Sequence, residues 1–282
     1  MRRRQFVTAL AAAGALRSQP AQNAERKGRL KQSVTKGVFA PNTPLEEMAH
    51  QAARLGCKGF DLIEPADWPL LKKYGLIPTM YPPGPGGTIR DALNRTENHE
   101  RLEKATHEAL DLCAVHGAPN LITFSGNRRG MPDSEGADNC VAFLNRVKAH
   151  AEDKGVTICM EILNSKVDHK DYMCDHSAWG VEVMKRVNSP RVKLLFDIYH
   201  VQIMEGDIVR TIRDNIQWIG HFHTGGNPGR HEIDDTQELN YRFIAKSIAD
   251  LGFTGYIAHE YSPAKGNDAL RSLNQAMEIF DV

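Results

Sequence analysis

What the chain lacks narrows it first. No run of eighteen apolar residues occurs among its 282 residues, so the sequence offers no helix able to cross a bilayer. Neither charge dominates, with 35 Lys plus Arg against 35 Asp plus Glu. A balanced chain is a poor candidate for nucleic-acid binding, which draws on surplus positive charge. The five cysteines, at 57, 113, 140, 159 and 174, are odd in number and form no C-x-x-C. That argues against a disulfide framework and a zinc knuckle, and for buried thiols. No G-x-G-x-x-G follows the first expected strand, and no G-x-x-x-x-G-K-[ST] occurs. The nucleotide-binding fingerprints are therefore missing.

The first thirty residues read unlike the rest. Arg2, Arg3 and Arg4 precede an uncharged run from Phe6 to Leu16, which Arg17 closes. A cationic start and a short apolar stretch make an export signal rather than a membrane span. Arg3-Arg4-Gln5-Phe6-Val7 also resembles the twin-arginine signal, so the twin-arginine export machinery is an expected partner and the periplasm an expected location. The plain alternatives are a frayed helix with a chance Arg pair and a cytoplasmic protein. Ala21 to Ala24 is a weak cleavage candidate. Setting residues 1–30 aside as leader leaves 31–282, or 282 − 30 = 252 residues, a usual size for a (β/α)₈ barrel.

Across that span apolar, β-rich runs alternate with helical patterns. Strands are expected at 34–40, 58–63, 76–81, 120–124, 156–163, 192–197, 218–223 and 256–261. Helices are expected at 44–55, 66–74, 96–116, 134–154, 176–188, 207–215, 238–251 and 268–280. Gly56, Gly75, Gly117, Gly155 and Gly252 stop five of them. Strands too apolar to alternate are buried on both faces, as in a parallel sheet walled by helices. Eight such units predict a single-domain α/β fold, the TIM barrel, over a doubly wound open sheet.

Active residues of such a barrel sit at the C-terminal ends of its strands. The last four expected strands end in, or just before, Glu161, Asp197, His223 and Glu260, spaced by 36, 26 and 37 residues. One carboxylate at a strand end is commonly a cap. Three carboxylates brought together repel unless a cation or protons intervene, and with an imidazole they make an oxygen-rich divalent site. Mn²⁺ or Mg²⁺ suits it first, with Co²⁺ and Zn²⁺ as alternatives. The rival is a set of ordinary ion pairs. His221, two before His223, points to the same strand face. His200, Asn164 and Arg230 fall near the same rim, and Arg is a natural clamp for a carboxylate. His259 points the other way and reads as packed. His50, His99, His107, His116 and His150 lie in helical stretches.

The segments Met160–His169, Phe196–Gln202, Gly220–His223 and Asn227–Glu232 resemble the xylose-isomerase-like barrels, most closely the hydroxypyruvate isomerase family. The resemblance spans about residues 34–280. It implies a divalent metal held by Glu161, Asp197, His223 and Glu260. It implies Glu161 and Glu260 as the catalytic proton donor and acceptor, and His200 and Arg230 as substrate contacts; His221 and Asn164 join that expected binding set. The implied reaction is hydroxypyruvate to tartronate semialdehyde by enediolate proton transfer, on a small hydroxy-carbonyl substrate. His223 stands where hydroxypyruvate isomerases often carry Gln and ketose 3-epimerases carry His, so a 3-epimerase or another sugar isomerase is the alternative. An endonuclease-IV-like phosphodiesterase and a non-catalytic exported sugar-binding protein are further rivals. A homo-oligomer stays open.

Overall fold

The computed structural model describes residues 26–282. The arginine pair, the uncharged run and the cleavage candidate lie outside the described residues. Eight strands run parallel: β1 Lys31–Val34, β2 Gly59–Asp61, β3 Ile77–Met80, β4 Asn120–Thr123, β5 Thr157–Glu161, β6 Val192–Asp197, β7 Ile219–Thr224 and β8 Tyr256–His259. They form one sheet in the order β3-β2-β1-β8-β7-β6-β5-β4. The Tyr81 N–H donates to the Asn120 carbonyl at 2.8 Å, drawing β3 against β4 and closing the barrel. A TIM barrel results.

The helices are α1 Leu45–Arg54, α2 Trp68–Lys73, α3 His99–His116, α4 Asp133–Lys154, α5 Ser177–Val187, α6 Ile198–Met204, α7 Ile208–Asn215, α8 Tyr241–Asp250 and α9 Ala269–Ile279. They wall the sheet, so its strands are buried on both faces as their apolar runs require. Thr157 through Glu161 are all buried. Gly117 and Gly155 end α3 and α4 at φ 76° and 68°, a left-handed stop that glycine adopts without a Cβ penalty. All five cysteines are free and buried.

Two elements depart most from expectation. The first strand is not 34–40 but Lys31–Val34; Ser33 faces the barrel interior, bonded to Asp61, and Gln32 faces the helices, bonded to His259 and to the Met277 carbonyl of α9. The helix Ile198–Met204 was not expected. Asp197 both ends β6 and caps it, accepting the His200 N–H at 3.1 Å. The residues just before the expected barrel start pack against it. Leu30 is buried, and the Arg26 guanidinium donates to the Leu55 carbonyl and to Asn274 at 3.0 and 3.2 Å.

Candidate active site

Strand order alone brings four expected residues together. Glu161, Asp197 and His223 end or nearly end β5, β6 and β7, and Glu260 follows β8 directly. Asp197 pairs with His223 in the register of β6 and β7. One ligand atom from each of the four lies within 4.8 Å of all the others. His223 Nδ1 stands 2.6 Å from Glu260 Oε2, 3.4 Å from Glu161 Oε1 and 3.9 Å from Asp197 Oδ2. Among the described residues no well-directed hydrogen bond reaches that nitrogen, although it is buried.

Charge explains the arrangement. Burial acts against a charged His223, but Glu260, Asp61 and Glu161 outweigh it and hold its pKa well above the usual imidazole value. Burial pushes Glu161 up to about 7, with His223 opposing and Glu260 and Asp197 adding. Burial also acts to raise Glu260, yet His223 and Arg230 hold it well below the carboxylate range. Arg230 Nη2 donates to Asp197 Oδ2 and Glu260 Oε2, both at 2.6 Å. Three carboxylates thus gather whatever positive charge is near. Three oxygens and an imidazole nitrogen lacking a directed hydrogen bond fit a divalent ion.

Arg230 is delivered by the loop after β7. Gly226 N donates to the His231 carbonyl, and Arg230 N to the Gly226 carbonyl, both at 2.8 Å. A Cβ on Gly226 would stand 2.0 Å from the Glu232 carbonyl oxygen, so only glycine fits this turn. The guanidinium carbon lies 4.9 Å above the Tyr199 ring, a cation–π seat. Its Nη1 is buried without a hydrogen-bond partner among the described residues. Arg230 and Glu260 line a cavity of about 320 Å³ at the mouth, with Lys36 and Asp61.

His221 and Asn164, two of the expected binding residues, both have partners within the protein. His221 shares the face of His223, but it is fully buried one layer deeper, its Nε2 2.7 Å from Asp61 Oδ2 and its Nδ1 3.5 Å from Asn120 Nδ2. Asn164 is a brace. Its carbonyl accepts the Val167 and Asp168 N–H groups at 2.9 Å, and its amide donates to Asp168 and to His200 Nδ1 at 2.7 and 2.6 Å. His200 Nδ1 thereby accepts, which leaves the proton on Nε2, 3.9 Å from Asp197. Burial pushes the His200 pKa down to about 4. His259 is packed as read, between Thr224 Oγ1 and Gln32 Oε1 at 3.0 Å each. Asp61 and Lys36 were not anticipated; the one signal for Asp61 was an acid inside the apolar run Gly59–Ile63.

A fold and site of this kind define a class. A family model described as xylose isomerase-like TIM barrel matches residues 49–280, and the chain belongs to that family. It is similar to 2-oxo-tetronate isomerase of Cupriavidus necator, 37% identical over 102 residues, 36% of this chain and 39% of that one. It is similar to hydroxypyruvate isomerase of Escherichia coli, 33% identical over 89 residues, 32% of this chain and 34% of that one. The chain thus matches well under half the length of either relative. A crystal structure of an AP endonuclease, family 2, from Brucella melitensis superposes with TM-score 0.77 at 24% identity, over 86% of this chain and 96% of that one. That likeness concerns the fold alone.

Proposed function

We propose that the chain is an isomerase of a small hydroxy-carbonyl acid, moving a proton between adjacent carbons as in hydroxypyruvate to tartronate semialdehyde. The observation that carries this is the meeting of Glu161, Asp197, His223 and Glu260 within 4.8 Å at the barrel's mouth. A divalent ion held by those four would supply Lewis-acid polarisation of a carbonyl oxygen. Glu161 and Glu260 reach the cluster from β5 and β8, with β6 and β7 between them. A substrate lying over the cluster therefore meets one carboxyl from each side. One carboxylate accepts the proton of the hydroxymethyl carbon, the other carboxyl delivers a proton to the former carbonyl carbon, and the hydroxyl proton passes between the two oxygens. Arg230 Nη1, buried and unpartnered, is a donor available to the substrate carboxylate, and Lys36 adds positive charge at the same cavity. These two cations favour an acid over a neutral ketose, which sets the reading above the 3-epimerase alternative. The leader is read as an export signal on Arg3-Arg4-Gln5-Phe6-Val7.

Glu260→Gln tests the proton transfer, since the amide keeps a carbonyl oxygen but takes up no proton at neutral pH. Metal-saturated variant should lose turnover by about 10² to 10⁴, and solvent deuterium should enter product carbon far more slowly than in wild type. Wild-type turnover by Glu260→Gln removes the carboxylate from the chemistry. A panel of hydroxypyruvate, 2-oxo-tetronate and neutral ketoses separates the substrates; turnover confined to neutral ketoses refutes the acid assignment.

A further inference from the structure

Asp61 sits inside the barrel on β2, with no exposed surface. Burying a carboxylate is costly unless it is paired and hydrogen-bonded, and here every side of it is used. Oδ1 accepts the Ser33 hydroxyl at 2.9 Å and also the Thr79 hydroxyl. Oδ2 accepts Nε2 of His223 at 3.1 Å. His221 Nε2 lies 2.7 Å from the same oxygen, though off its N–H direction. β1, β3 and β7 thus all converge on one side chain of β2. An imidazole has two nitrogens, and a partner on one decides what the other presents. With Nε2 of His223 tied to Asp61, Nδ1 is the atom left facing Glu161, Asp197 and Glu260.

We propose that Asp61 is a positioning residue that fixes the ring orientation and Nε2–H tautomer of His223, so that Nδ1 is presented to a divalent ion in the carboxylate cluster. The inference rests on the metal reading of that cluster. Without the anchor the ring is free to turn a carbon toward the cluster or to place its proton on Nδ1, and either choice removes the donor. Asp61 acts on the ion through His223, from the wall of the cavity that Arg230 and Glu260 also line.

Calorimetric titration of the metal-free protein with Mn²⁺ tests this without recourse to activity. Asp61→Ala, checked for fold by circular dichroism, should weaken Mn²⁺ binding by about 10- to 100-fold, the scale of losing a partner behind a metal-binding histidine. Asp61→Asn keeps an oxygen toward His223 and should recover most of the affinity. In the Zn²⁺-loaded protein the His223 Nε2 proton should give a protected ¹⁵N-coupled signal, lost in Asp61→Ala and kept in Asp61→Asn. Wild-type Mn²⁺ affinity in Asp61→Ala, or equal losses in both variants, overturns the positioning role while leaving the cluster a metal site. Failure of the wild type to take up Mn²⁺ instead overturns the metal reading itself. Where Asp61→Ala does not fold, Ser33→Ala with Thr79→Val loosens the same carboxylate. Unchanged affinity and an unchanged His223 signal in that double variant overturn the proposal.

Discussion

Replacing Arg230 with Met separates the two kinds of positive charge this site can hold. Methionine keeps an unbranched apolar stem against the Tyr199 ring and removes the guanidinium. The structure sets the magnitude. Nη2 makes two contacts of 2.6 Å, to Asp197 and Glu260. Hydrogen bonds to charged partners contribute about 1.5–3 kcal/mol each, giving about 3–6 kcal/mol for two. Stripping a buried ion pair of one partner costs about 3–5 kcal/mol, so the two routes agree near 4 kcal/mol. Arg230→Met should therefore lose about 4 kcal/mol of unfolding free energy in urea with EDTA at pH 8, where protons do not replace the missing cation. Excess Mn²⁺ should restore stability by more in the variant than in the wild type, because the ion then neutralises carboxylates that nothing else serves. If Arg230→Met is as stable as wild type in EDTA, the guanidinium is not what holds these carboxylates together. If Mn²⁺ stabilises both proteins equally, ion and guanidinium do not share ligands.

Two further outcomes follow from other parts of the chain. Burial acts to raise the Asp175 pKa, but Arg128, Ser165 and His176 hold it below the usual carboxylate value; Arg128 Nη2 stands 3.0 Å from Asp175 Oδ1. A depressed carboxylate stabilises above its unfolded pKa and loses that contribution as pH falls through its folded one. Asp175→Asn should therefore cost about 1–2 kcal/mol at pH 7, with the gap to wild type closing in acid; a gap of equal size at pH 3 by urea denaturation contradicts the ion-pair account. Arg3→Lys with Arg4→Lys should block export, since a paired-guanidinium signal is not replaced by ammonium charge. Periplasmic appearance of that double variant, followed by fractionation, rejects the twin-arginine reading.

The four clustered residues were legible because each ends an apolar strand, and strand ends share one rim in a closed parallel barrel. The face of a side chain was legible too. Period two put His221 with His223 inside and His259 outside, and so they are. Depth was the harder quantity. Two residues back along a strand is about 6.6 Å at the usual rise, enough to sink His221 beneath the rim and set it beside Asp61 and Asn120. α6 escaped notice because Asp197 serves two elements at once and the helix is short. β1 was displaced because Gln32 and Ser33 look like surface residues until their partners on the flanking strands β8 and β2 are known.

Asp61 combines both difficulties. Its chain neighbours, Phe60 and Leu62, say only that a strand passes through. Its role depends on His223, 162 residues away, and on the barrel's closing so that β2 and β7 face each other across the interior. A pattern in the chain records which way a side chain points, while a pair across the barrel depends on registers that no local pattern carries. The residues that cluster at the strand ends are therefore the readable part of this site. The residues that bond to them, Asp61 to His223 and Asn164 to His200, emerge only once the strands are placed side by side.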